Sequence, residues 1–112
     1  MEESMRKRLE AIKKRFSEIE VELADPALQT NIAKLTFLSK ERASLEDPFN
    51  KYARYEKLES DFKDAMDAIN GPDAELADMM REERKSIENE MATIEEELHT
   101  ELIPVDPNDK KN

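Results

Sequence analysis

Residues 5–26 read MRKRLEAIKKRFSEIEVELADP. Met5, Leu9, Ile12, Phe16, Ile19 and Leu23 recur at intervals of 4, 3, 4, 3 and 4, which places all six on one helical stripe. Asp25-Pro26 ends the pattern, because a residue before proline is pushed out of the helical region. The spacing predicts a helix near residues 2–24, roughly 35 Å long at about 1.5 Å per residue. A stripe of that length needs a second helix to cover it.

Downstream, Thr30 reads as an N-cap for a helix near 30–46 whose apolar positions are Ile32, Leu35, Leu38 and Leu45. Asp47-Pro48 reads as a cap and first residue for a further helix near 48–70. Yet Leu38, Leu45, Phe49, Tyr52, Tyr55, Phe62, Met66 and Ile69 keep almost one phase across Pro48. Two roughly collinear helices, or one long helix bent at Pro48, both satisfy that pattern. Asn70-Gly71-Pro72 is the clearest stop, pairing a C-terminal glycine with a proline that cannot continue the helix. Asp73 then caps a last helix near 73–102, with Leu76, Met80, Ile87, Met91, Ile94, Leu98 and Leu102 on its stripe and Pro104 at its end.

Short connections between such helices imply antiparallel packing, so the expected fold is an all-α, antiparallel, coiled-coil-like helical bundle. The composition agrees: 41% of residues are charged and 38% hydrophobic, with one Gly and five Pro in 112 residues. That length fits one domain with one modest core. We place it at residues 1–103, with 104–112 as the start of a linker. No cysteine is present, which excludes disulfides and thiolate chemistry and makes the cytoplasm the default compartment. Neither a targeting segment nor a membrane span is expected, since no apolar run approaches about twenty residues.

The net charge of −10 disfavours a broad grip on nucleic acid phosphates. The sign is uneven. Residues 1–15 carry Arg6, Lys7, Arg8, Lys13, Lys14 and Arg15 against three glutamates, while residues 73–101 carry eleven acids against three bases. One expectation is that these ends pair within the chain; the other is that the six cations form a contact surface for a partner.

Chemistry is sparse. His99, with Glu95 and Glu96 nearby, would be a metal edge only if carboxylates supplied the remaining ligands, and a solvated helix face is the plainer reading. Asp106, Asn108 and Asp109 have the spacing of the start of a calcium loop. Lys110 occupies the fifth position, however, and no glycine follows. One glycine cannot build a P-loop or a dinucleotide fingerprint. The aromatics Phe16, Phe49, Tyr52, Tyr55 and Phe62 fall at helical spacing and are core candidates, with the tyrosine hydroxyls reaching outward. No cofactor, metal site or enzymatic activity is expected.

The stretch ELIPVDPNDKKN, residues 101–112, gives the most specific signal. A Glu-rich helix running into Leu-Ile-Pro-x-Asp-Pro-Asn-Asp resembles the exit from the N-terminal helical domain of the bacterial peptide chain release factor 1 family, which are class I translation release factors. Leu38 to Leu45 (LSKERASL) and Asp73 to Met79 resemble segments of the same domain in order and spacing. The resemblance implies translation termination at UAA and UAG, and a location in the full factor near the ribosomal stalk base. It further implies that the domain positions the others; from the charge pattern, residues 6–15 are the candidate ribosome-facing surface. Family members trigger peptidyl-tRNA hydrolysis through a Gly-Gly-Gln motif in a later domain. Here Gly71 is the only glycine and Gln29 the only glutamine, so neither hydrolysis nor decoding is expected of these residues. Two rivals belong to other classes: a self-contained coiled-coil adaptor or oligomerisation module, and a metal-dependent regulatory domain using His99.

Overall fold

In the computed structural model, which describes residues 1–102, three α-helices and one 3₁₀ turn account for nearly every residue. No strand occurs among the described residues, so the fold is all-α. The chain divides into two compact units, Met1–Glu56 and Lys57–Asn112.

Helix α1 spans Glu3–Leu23 and buries Leu9, Phe16 and Ile19, with Met5, Ile12 and Leu23 half-buried on the predicted stripe. It ends as the sequence requires. Asp25 is extended before Pro26, and its carboxylate accepts a 3.0 Å hydrogen bond from the Ala27 N–H. The intervening 3₁₀ turn, Pro26–Thr30, carries Leu28 inward. Thr30 is not the next cap; it sits inside this turn, and the Asn31 side chain instead accepts from the Lys34 N–H at 3.1 Å.

Helix α2 runs unbroken over Ile32–Ile69 with Pro48 inside it, so the two predicted helices are one. Proline there removes a hydrogen bond and costs about 3 kcal/mol. Packing on both sides of Pro48 offsets that cost: Leu38, Tyr52 and Tyr55 are buried in one phase and Pro48 itself is buried. Ile32, expected on the stripe, is 66% exposed.

In the first unit α1 and α2 are antiparallel. Their contacts run in opposite directions along the two helices: Glu22 to Lys34, Glu20 to Arg42, Phe16 to Phe49, Lys13 to Glu56. The core joins Ile19, Leu28 and Leu38, with Leu23, Leu35 and Leu45 packed around them. Phe16 and Phe49 stack with centroids 4.1 Å apart.

In the second unit the last part of α2 turns at residues 70–73 into helix α3, Ala74–Glu101. Asp73 caps α3 as predicted, accepting from the Leu76 N–H at 3.1 Å. Leu58, Ala65, Ala77, Ile87, Ile94, Leu98 and Leu102 are buried. One position departs from the expected stripe. Leu76 is 39% exposed and Ala77 is buried in its place, because a stripe drawn through large side chains passes over buried alanines. Gly71 does not take a positive φ, so it forms no left-handed helix cap. Its N–H bonds the Ala68 carbonyl at 3.1 Å, and a Cβ there would stand 3.3 Å from that same oxygen. Pro104 and the residues of the calcium-loop reading, Asp106, Asn108 and Asp109, lie outside the described residues.

Candidate functional site

The basic stretch of α1 resolves into three pairs, each seven residues apart: Arg6 with Lys13, Lys7 with Lys14, Arg8 with Arg15. Seven residues are nearly two helical turns, so each pair shares one direction around the helix. The first and third pairs flank the apolar stripe. The second lies opposite it.

On one flank, Lys13 Nζ lies 3.1 Å from Glu56 Oε1 on α2. Arg6 Nη1 donates to the Tyr52 hydroxyl at 3.3 Å, and its guanidinium stands 5.9 Å from the ring centroids of both Tyr52 and Tyr55. The Tyr52 hydroxyl donates in turn to a Glu10 carboxylate oxygen. Burial, reinforced by that carboxylate acceptor, pushes the Tyr52 pKa up to about 12. The hydroxyl does not reach outward; it is held between a cation and an anion from α1.

On the other flank, Arg15 binds Glu41 of α2 in a two-pronged contact, with Nε to Oε2 and Nη2 to Oε1 both at 2.7 Å. Glu18 and Glu22 approach the same guanidinium at 3.7 and 3.5 Å. The bond from Arg15 holds the Glu41 carboxyl below the usual carboxylate range, and the Arg15 pKa rises correspondingly. Arg42 adds a third tie, its guanidinium 4.9 Å from the Phe16 centroid. Arg8 is exposed.

Lys7 and Lys14 differ from these. Both are exposed, and neither forms an ion pair among the described residues. The predicted six-cation surface therefore separates into a clasp, in which Arg6, Lys13 and Arg15 hold α1 to α2, an outward pair, Lys7 and Lys14, and Arg8, exposed on the same flank as Arg15. Sequence reading missed the acceptors Glu10, Glu41 and Glu56. The flank position of each basic residue was the available signal, because it turns a side chain toward a neighbouring helix.

Other features offer little chemistry. His99 is exposed, and among the described residues no group of three His, Cys, Asp or Glu could hold a metal ion. An open hollow of about 190 Å³ lies at the corner between α1 and α2, lined by Glu22, Asp25, Ala27, Leu28, Asn31 and Lys34. Its polar groups are occupied: Asp25 and Asn31 accept backbone N–H groups, and Glu22 lies 3.8 Å from Lys34. No described helix is long and apolar enough to cross a membrane.

Comparison with known proteins adds what this geometry does not carry. Over 108 residues, 96% of its length, the chain is 39% identical to peptide chain release factor 1 of Acidobacterium capsulatum. It is 37% identical to that of Clostridium acetobutylicum over 96% of its length, and 40% identical to that of Campylobacter hominis over 94%. The chain spans about 30% of the length of these relatives. No solved structure gives a significant match. The model of the PCRF domain matches residues 12–112, and the chain therefore belongs to this family, that of the peptide chain release factors.

Proposed function

We propose that this chain is the N-terminal helical domain of a class I peptide chain release factor and serves translation termination at UAA and UAG. The observation that carries the reading is similarity to peptide chain release factor 1 along 94–96% of the chain. In this role residues 1–103 form the domain and 104–112 begin the link to the codon-reading part. The working compartment is the cytoplasm. The chain contributes no catalytic group, since its single Gly71 and single Gln29 cannot form a Gly-Gly-Gln motif. It needs no cofactor.

The domain positions the rest of the factor and touches the ribosome near the stalk base. Within the candidate surface Arg6, Lys7, Arg8, Lys13, Lys14 and Arg15, the outward pair Lys7 and Lys14 is best suited to meet a partner, because its charge is not consumed by α2. A strongly acidic domain favours a local contact over a sequence-specific grip on nucleic acid. Most of its stripe positions, Leu9, Phe16, Ile19, Leu38, Ile87 and Ile94 among them, are buried within the chain, which supports a monomer, and light scattering at micromolar concentration checks this.

The test is a graft. The chain replaces the segment it matches in the Acidobacterium capsulatum factor, and peptide release is measured on ribosomes halted at UAA, UAG and UGA. Release at UAA and UAG within a few-fold of the parent supports the reading. A folded graft that abolishes release refutes it. In the active graft, Lys7→Glu with Lys14→Glu weakens ribosome binding in a salt-dependent way, and unchanged affinity at low salt refutes the surface assignment.

A further inference from the structure

Gly71 raises a separate question, because the one glycine in the chain is not used for a left-handed conformation. It follows Asn70 directly, and both residues are exposed in the turn between α2 and α3. We propose that Asn70-Gly71 is a site of spontaneous covalent modification, at which Asn70 deamidates through a cyclic imide formed with the Gly71 nitrogen. This does not depend on the release-factor reading.

In the reaction the Gly71 amide gives its proton to base and its nitrogen attacks Asn70 Cγ. The N–Cγ bond forms as Cγ–Nδ2 breaks, and ammonia leaves. Water then opens the imide. Attack at Cγ yields aspartate; attack at the Asn70 main-chain carbonyl leaves the chain running through Cγ, as isoaspartate. Water is the only co-reactant, and the overall change is amide to carboxylate.

Three observations favour this asparagine. The attacking nitrogen carries no side chain beside it, whereas Asn31, Asn50, Asn89 and Asn108 precede Ile32, Lys51, Glu90 and Asp109, whose side chains screen the amide. Asn31 and Asn89 are further held by helix, the first through its cap on the Lys34 N–H and the second inside α3. Asn70 lies one residue past the end of α2, and the Gly71 N–H is tied only by the 3.1 Å bond to the Ala68 carbonyl in a terminal turn. Terminal turns open far more readily than helix interiors.

The product matters to the joint. It places a new negative charge at the C-terminal end of α2, where unpaired carbonyls already disfavour anions. Isoaspartate also lengthens the backbone by one methylene just before Asp73, whose carboxylate caps α3.

To test this, the full folded chain is aged in mildly alkaline buffer and followed by intact mass and peptide mapping, beside Asn70→Gln and Gly71→Ala variants. The expected result is a gain of one mass unit confined to the peptide containing Asn70, with isoaspartate detected by its methyltransferase. Asn70→Gln abolishes the gain and Gly71→Ala slows it several-fold. Because a Cβ at position 71 is crowded by the Ala68 carbonyl oxygen at 3.3 Å, melting curves confirm that the Gly71→Ala chain is folded. The aged wild-type chain melts below the equally aged Asn70→Gln chain. Two results overturn the proposal: a folded chain in which Asn70 stays intact while the urea-unfolded chain reacts, or earlier mass gain at Asn31, Asn50, Asn89 or Asn108.

Discussion

Replacing Pro48 by alanine should stabilise this protein. Proline inside a helix is disfavoured by about 3 kcal/mol relative to alanine, because it lacks the N–H that would bond the carbonyl four residues back and its ring crowds that carbonyl. Here the deprived carbonyl belongs to Ser44, and alanine restores its donor. Two losses oppose the gain. Pro48 is buried, and truncating its ring removes two methylenes at about 0.8 kcal/mol each. Alanine also frees the unfolded chain, costing about 0.5 to 1 kcal/mol. The balance is a gain of about 0.5 to 1 kcal/mol, or roughly 4 °C in melting temperature for a chain of this size. Far-UV circular dichroism on heating, with urea unfolding alongside, measures it. Pro48→Gly supplies the control, because glycine restores the donor but falls about 1 kcal/mol below alanine in a helix. A Pro48→Ala chain melting several degrees below wild type would refute the reasoning, by showing that the ring is packed more valuably than its area implies.

Leu38→Ala opens a hole against Ile19 and Leu28 and should cost about 3 kcal/mol in urea unfolding. Phe37→Ala, at a neighbour that is 66% exposed, should change stability by less than about 0.5 kcal/mol. Glu41→Gln should lower the melting temperature at neutral pH and leave it unchanged in acid. The folded chain holds this carboxyl below its ordinary pKa, so its contribution is present above the usual carboxylate range and is lost as pH falls through the depressed value. Tyr52→Phe gives the opposite pH signature. Tyr52 keeps its proton up to about 12 when folded, against 10.0 for the ordinary phenol, so wild-type stability should fall as pH rises between those values while the variant lacks this loss. Melting curves across the alkaline range check it.

What could be read from the sequence was what local chemistry decides. The 4-and-3 spacing in α1, the Asp25-Pro26 exit and the Asp73 cap each act within a few residues, and each stands where the pattern put it. Pro48 was not decidable in this way. Whether a helix tolerates a proline depends on how much surface the flanking turns bury, and that burial comes from α1, dozens of residues away. The alanines went unread for a related reason: Ala65 and Ala77 are buried, but nothing in an alanine's own chemistry separates a buried one from an exposed one. Gly71 ends α2 where the Asn70-Gly71-Pro72 stop was read, without a positive φ, and a Cβ there would crowd the Ala68 carbonyl oxygen at 3.3 Å.

The basic stretch lies between these cases. Six cations in ten residues look like one surface when read along the chain, yet read around the helix they point three ways. The apolar stripe fixes the direction of α2, so the flank residues Arg6, Lys13 and Arg15 were bound to meet that helix, and its carboxylates and tyrosines meet them there. Only the identity of the acceptors required the structure, because register between two helices is set by the 3₁₀ corner and by the Ile19, Leu28 and Leu38 core rather than by the charges themselves. Charge reversals at Arg15 and at Lys14 therefore test different things although the residues are adjacent. Reversing Arg15 breaks the clasp and should be read in stability. Reversing Lys14 leaves the clasp intact and should be read in binding.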